Sequence, residues 1–358
     1  MEKEVKKQSG SACFNGTDGA KKLLSVIVPA YNAEKYIRTA LDSFCMEEIL
    51  DDIEILVIND GSTDQTGAVA AEYQARFPGT FRVITKPNGG HGSGINAGIL
   101  LARGKYFKVV DSDDWVDREP FCRLVNYLRD SEADIVWSGF YWVYEDEKVP
   151  MDSWRKRAEM LCPFEGVEYG RTYVFDGIAE KLYIKMHNMT IRTRILQENK
   201  IRVDEKCYYV DTEYTIFPIP HVSTAAFIDE FVYMYRIGRN GQSMSREKMQ
   251  KNEENMKRVL KSLLRFYDRL GSEIPCTPPK KQYIANLTAR AAAGYYRIML
   301  CQEEAHKSCM RLSGFDSMLK KRYPDIYEAN INRAVTLLRG SHFRLYDAAS
   351  ALCRIVYR

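Results

Sequence analysis

GKYFKVVDSDDW (Gly104–Trp115) is the stretch whose reading decides the fold. Tyr106–Val110 is a short, mostly apolar run of the length a sheet strand needs, and it stops directly on a carboxylate, Asp111. Asp113 and Asp114 follow within three residues. Carboxylates crowded at a strand end repel one another unless a cation joins them. Positions two apart in an extended segment face the same way, so Asp111 and Asp113 can both point at one ligand.

Working outward, LLSVIV (Leu23–Val28), IEILVI (Ile53–Ile58) and FRVI (Phe81–Ile84) read as three earlier buried strands. Glu34–Met46 places Ile37, Leu41 and Phe44 at helical spacing, Asp64–Phe77 reads as a second helix capped by Asp64, and Ile95–Arg103 as a third. Strands alternating with helices predict an α/β fold: a Rossmann-like, mostly parallel sheet flanked by helices. Ligands of such sheets bind at the carboxyl ends of the strands. PAYN (Pro29–Asn32), NDGSTD (Asn59–Asp64) and DSDD (Asp111–Asp114) all fall there.

Beyond this core the pattern predicts a helix over Glu119–Arg129 and a strand over Ile135–Tyr144, and leaves Glu145–Gly170 unassigned. FVYMYRI (Phe231–Ile237) is strand-like, and helices follow at Lys248–Leu270, Lys280–Cys301 and in the remaining tail. The organisation read from this is a mobile tail at 1–22, an α/β domain at 23–240 and a helical region at 241–358, with a boundary near Asn240.

Composition narrows the class. A chain of 358 residues, 45% hydrophobic and 28% charged, can bury a core of ordinary size. A net charge of +4 without a dense basic run gives no reason to expect nucleic acid. Nine cysteines without CxxC pairing predict neither a zinc site nor a disulfide framework, which points to reduced thiols and a cytoplasmic location. The amino terminus lacks an apolar signal segment, and no run approaches the ~20 apolar residues that span a bilayer.

SVIVPAYNAEKYI, ILVINDGSTDQT, KPNGGHGSGINAGI, GKYFKVVDSDDW, YYVDTEY and YRIGRNGQSMS, in that order, resemble the inverting family 2 glycosyltransferases of the GT-A fold, from about Leu24 to Ser245. The resemblance implies transfer of a sugar from a nucleotide-sugar donor, a UDP-sugar first of all, to the hydroxyl of a glycan or lipid-linked acceptor. It also implies a Mn²⁺ or Mg²⁺ ion that neutralises the departing diphosphate. Asp113 then holds the metal, Asp111 the metal or ribose, and Asp114 is a supporting ligand. Pro29, Tyr31 and Asp60 are expected at the nucleoside, with Tyr31 stacking on the base.

The glycine-rich NGGHGSGINAG (Asn88–Gly98) enters a helix, where free N–H groups suit an anion. The family pattern has an arginine where this chain has Ile95, so His91 or the loop backbone is assigned to the diphosphate. The family's acidic pair stands here as Val210-Asp211, which leaves Asp211 as the base for the acceptor hydroxyl, with Glu213, Glu205 and Asp204 as fallbacks. Ile95 and Val210 keep a second reading open: a catalytically degenerate member that binds nucleotide or glycan.

Three further candidates are His187 for acceptor or metal, Arg236 for diphosphate or acceptor, and Trp115 for the sugar pocket. Each competes with an ordinary packing role. In the last helix Leu345, Ala349, Leu352 and Val356 form a stripe, with Arg344, Arg354 and Arg358 off it. The stripe suits an anionic membrane surface, or packing on the protein body or on a twin subunit in a homo-oligomer.

Overall fold

A computed structural model describes residues 22–146, 148–238 and 246–356. The chain runs through β1 (Leu24–Ala30), α1 (Ile37–Asp42), β2 (Ile53–Asn59), α2 (Thr66–Arg76), β3 (Phe81–Thr85), α3 (His91–Leu101) and β4 (Tyr106–Val109). Every residue of β1, β2 and β4 is buried, as continuous apolar runs covered on both faces require. β1 pairs in parallel with β2 on one side and β4 on the other, and β2 with β3. Asp64, expected as the cap of the second helix, stands one residue before the N-cap Gln65, and its Oδ1 accepts from the Thr66 N–H at 3.0 Å.

The sheet then continues through β5 (Trp115–Val116), α4 (Arg118–Asp130), β6 (Ile135–Tyr144), β7 (Arg155–Ala158), β8 (Thr172–Val174), β9 (Met189–Arg192), α5 (Thr193–Glu198), α6 (Asp211–Ile216) and β10 (Thr224–Ile237). The strand order is β3-β2-β1-β4-β9-β6-β10-β5, with β7 on β6 and β8 on β10. β9 runs antiparallel to both β4 and β6, so the sheet is mixed, with parallel pairing among β3, β2, β1 and β4 and again between β6 and β10. Among the described residues seven helices follow: α7 (Arg246–Lys251), α8 (Glu253–Arg269), α9 (Pro278–Leu300), α10 (Ala305–Arg322), α11 (Pro324–Glu328), α12 (Arg333–Gly340) and α13 (Tyr346–Val356).

These helices share the core of the sheet. One cluster of buried side chains runs from Ile27 and Phe107 to Tyr283 and Leu338. The Ile184 N–H donates to the Tyr283 hydroxyl at 3.2 Å, and the buried Lys280 ammonium donates to the Pro220 carbonyl at 3.2 Å. The expected boundary near Asn240, the tail up to residue 21, the part of YRIGRNGQSMS that holds Gln242 and Ser243, and Arg358 lie outside the described residues. No helix among the described residues is long and apolar enough to cross a membrane.

The α13 stripe is corrected as a packing face. Leu352 and Val356 are 63% and 66% exposed, while the helix seats its Tyr346 and Ser350 side on the body. The Tyr346 hydroxyl donates to the Met299 carbonyl at 2.7 Å and Ser350 Oγ to that of Leu300 at 2.8 Å. The polar positions face inward here because their hydroxyls bond carbonyls in the last turn of α9.

Gly104 fixes the approach of the α3–β4 turn to β1. A methyl group there would stand 2.5 Å from the Ser25 nitrogen and 2.7 Å from the Leu24 carbonyl carbon, both main-chain atoms that cannot swing aside. The same turn seals a buried polar cluster in which Ser25 Oγ accepts from the Gly104 N–H at 2.8 Å and donates to Glu54 at 2.5 Å. Gly104→Ala is expected to destabilise the protein by about 1–3 kcal/mol, read from the urea midpoint.

Candidate active site

The acidic loop after β4 is clamped from β10. The Tyr233 hydroxyl donates to Asp114 Oδ2 at 2.6 Å and accepts from the Asp111 N–H at 3.1 Å. Asp114 Oδ1 accepts from the Arg236 N–H at 2.8 Å, and Arg236 Nε donates to the Asp113 carbonyl at 2.8 Å. Asp114 is thereby 1% exposed, and burial, with Asp113 and Asp111 adding, holds its carboxyl well above the usual range. Its oxygens serve the loop. Asp111 and Asp113 stay partly exposed at the mouth.

Arg236 and Trp115 do not line the cleft as expected. Arg236 is 4% exposed, its guanidinium 4.9 Å from the Trp115 ring centre, 5.2 Å from that of Trp154 and 5.0 Å from that of Tyr36. Its Nη1 also reaches Glu145 at 3.2 Å. A stacked, paired guanidinium under the loop sets the loop's position.

His187 lies beside the same carboxylates. Its ring stacks on Phe140 at 4.9 Å and touches Tyr233 and Tyr235 at 4.8 and 4.6 Å. Nδ1 is buried without a hydrogen-bond partner, and the ring lies where one ligand atom each from Asp111, Asp114 and His187 fall within 4.8 Å of one another. Burial drives its pKa down to about 3, so the imidazole is neutral, the form that ligates metals. A buried, neutral nitrogen lone pair beside two carboxylates fits a divalent cation.

Below it, Lys108 is fully buried on β4, with its ammonium donating to the His187 carbonyl at 2.9 Å. Burial lowers the Lys108 pKa to about 7. Tyr233 and Lys108 escaped the sequence reading. Their signal was present: Lys108 is a polar residue inside a buried strand, and Tyr233 and Tyr235 alternate along β10.

On the other wall, Gly90 adopts φ 80° and delivers His91 as the first residue of α3. His91 Nε2 meets Asp111 Oδ1 at 2.8 Å. Burial pulls the imidazole pKa down, but Asp111, Asp211 and Asp113 prevail and raise it. Asp60, expected at the nucleoside, is 3% exposed and turned to the glycine loop. It accepts from the Gly89 and Gly90 N–H groups at 3.0 and 2.7 Å and from Lys86 at 2.6 Å. Pro29 is buried against Gly94 of α3, while Tyr31 stands 54% exposed at the lip.

Ile95 and Val210, the two departures from the family pattern, are 0% and 1% exposed and both sit in the core. The next residue, Asn96, ties α3 to the segment before α6: it donates to the Val203 carbonyl at 2.9 Å and accepts from the Val203 N–H at 3.0 Å. Lys206 N–H donates to the Gly89 carbonyl at 2.5 Å. These bonds bring α6 to the cleft.

Asp211 opens α6 with its side chain reaching solvent. The cleft walls strip part of its hydration and raise its carboxyl pKa, with Asp111 adding and His91 opposing. Among the fallbacks, Glu205 pairs with Asn96 and Arg202, and Asp204 with Arg258. Glu213 is fully buried rather than on the surface, and its Oε2 accepts from the Asp204 N–H at 2.7 Å.

Burial raises the Glu213 pKa to about 7. The native state therefore holds a proton there that the unfolded chain has released, and stability falls as pH rises from the usual glutamate value toward 7. Glu213→Gln keeps the acceptor oxygen and removes the titration. It is expected to flatten that part of the stability–pH curve, measured by urea unfolding from pH 4.5 to 7.5.

The arrangement thus gathers carboxylates, two histidines, a helix amino terminus and one solvent-facing acid at the ends of neighbouring strands. It can hold a cation and an anionic leaving group at one side and accept a proton at the other. Residues 25–195 match the family model described as glycosyl transferase family 2. EpsJ, an uncharacterized glycosyltransferase of Bacillus subtilis, is 29% identical over 265 residues, 73% of this chain and 74% of its own length. YibD, an uncharacterized glycosyltransferase of Escherichia coli, is 26% identical over 250 residues, 69% and 71% of the two chains. TarS of S. aureus, solved as residues 1–349 with UDP, superposes with a TM-score of 0.61 at 19% identity, covering 94% of this chain and 91% of the other. At that identity the likeness speaks to the fold.

Proposed function

We propose that this chain, whose residues 25–195 match the glycosyl transferase family 2 model, is a glycosyltransferase that moves a sugar from a UDP-sugar to an acceptor hydroxyl with inversion. The observation that carries the reading is the convergence of Asp111, Asp113, His91 and Asp211 on one cleft. TarS, of the same fold, has been solved with UDP and with UDP-GlcNAc, which favours uridine as the base.

Asp111 and Asp113 would hold Mn²⁺ or Mg²⁺, with a neutral ring nitrogen of His187, which lies with Asp111 and Asp114, as a further ligand. Such an ion neutralises the charge that gathers on the leaving diphosphate. The chain's own groups do the rest. Tyr31 offers its exposed ring to the base, and the N–H groups at the start of α3, with His91, face the diphosphate. Asp211 takes the proton of the acceptor hydroxyl as that oxygen attacks the anomeric carbon from the face opposite the diphosphate. A raised pKa suits it to this task, since a stronger base accepts the proton more readily.

The degenerate reading rested on Ile95 and Val210, and both side chains point into the core, away from the cleft. We assign the acceptor to a glycan or lipid-linked glycan and the setting to polysaccharide synthesis. Incubation with UDP-sugars and Mn²⁺ tests the proposal: slow donor hydrolysis that stops with EDTA is expected. UDP binding without any turnover on any donor would favour the degenerate reading.

A further inference from the structure

A second concavity opens behind the segment that carries Asp211 to the cleft. It has a volume of about 770 Å³ and lies between residues 199–204, the end of α6 and the outer face of α8. Six cations line it, against two carboxylates, those of Asp204 and Glu273. Arg202, Arg258 and Arg269 are paired, with Glu205, Asp204 and Glu273 at 2.7, 2.9 and 2.6 Å. Lys200, Lys261 and Arg265 are exposed and make no ion pair among the described residues. Like charges left together without counter-charge raise the energy of the fold, so their excess calls for an anionic partner.

The groove is joined to the chemistry by covalent geometry. Phe217, which lines it and meets Phe266 in a tilted ring contact at 4.7 Å, closes the helix that Asp211 opens. Six residues of helix separate the two, about 9 Å along the axis. Its other wall is the back of the 202–206 segment, whose front is bonded to the glycine loop of the donor cleft. A chain whose end sits at Asp211 can therefore continue over that segment into the groove.

We propose that this groove binds an anionic stretch of the acceptor, phosphate or carboxylate groups carried along a glycan, away from the hydroxyl that reacts. The proposal rests on the glycosyltransferase reading and names the acceptor's class. A concave wall of cations beside the paired rings of Phe217 and Phe266 suits an extended charged chain. A bilayer would meet a flat surface instead, and the exposed apolar side chains Leu352, Ile355 and Val356 are on α13, none of them lining this groove.

Short-chain linear polyphosphate, neutral dextran and vesicles of phosphatidylglycerol are the probes, with UDP–Mn²⁺ as the control ligand. The wild-type protein is expected to bind polyphosphate but not dextran, with affinity falling as salt rises, and saturating UDP–Mn²⁺ should not displace it. Lys200→Glu, Lys261→Glu and Arg265→Glu together should weaken polyphosphate binding at least about ten-fold and leave UDP–Mn²⁺ affinity and the melting temperature unchanged. The milder Lys261→Gln, Arg265→Gln pair should show a smaller loss in the same direction. Unchanged polyphosphate binding in both variants, displacement by UDP, or loss of vesicle binding alone would overturn the assignment. Failure of the wild type to bind UDP–Mn²⁺ would count against the donor reading and not against the groove.

Discussion

Asp211→Asn is expected to lower kcat by about 10²- to 10⁴-fold while leaving UDP–Mn²⁺ affinity and the fold in place. The substitution keeps the size of the side chain and its place at the start of α6, and removes only the capacity to accept a proton. Val210 beneath it is anchored in the core, so the helix start does not shift. The measured split matters as much as the fall. A base acting on the acceptor hydroxyl should show as a kcat loss with the donor KM unchanged, since the donor binds before that proton moves. Retained transfer at near wild-type rate would take the role from Asp211. Glu213 could not inherit it, being buried and spent on the Asp204 N–H.

How far the site could be read in advance depended on the kind of signal each residue leaves. The strands flanking the acidic motif announce themselves, because a doubly covered strand must be continuously apolar, and β6 coincides with its predicted limits at Ile135 and Tyr144. β9 gave no such signal: four residues, Met189–Arg192, buried between two neighbours that run the other way, are too short for periodicity to register. Roles proved harder than places. Asp60, Arg236 and Trp115 stand close to the expected cleft, yet each faces a partner in the protein. Residue type at a strand end predicts that a charged group will be near a ligand. It does not say whether a neighbouring loop has already claimed that group, and in this chain the Gly89 and Gly90 N–H groups that hold Asp60 and the Asp113 carbonyl that holds Arg236 are main-chain groups that no side-chain pattern reveals. The same blindness hid Tyr233, whose hydroxyl links two members of a motif some 120 positions earlier in the chain.

That linkage makes the second large prediction discriminating. Asp113→Ala is expected to reduce transfer by at least about 10³-fold, the loss that follows when several kcal/mol of charge stabilisation are withdrawn from a departing diphosphate. The loop itself should survive, because Arg236 grips the Asp113 carbonyl, which alanine retains, and Asp114 stays bonded to Tyr233 and to the Arg236 N–H. The melting temperature should accordingly be unchanged, and UDP affinity, measured by calorimetry with and without Mn²⁺, should lose its dependence on the ion. Asp114→Ala removes a neighbouring carboxylate of the same charge but withdraws the clamp, taking from the buried Tyr233 O–H its acceptor and from the Arg236 N–H its carboxylate. It should therefore lower the melting temperature as well as the rate. If Asp113→Ala instead kept a manganese-dependent UDP affinity equal to wild type, the ion would not be held by that carboxylate, and Asp111 with His187 would be the pair left to hold it.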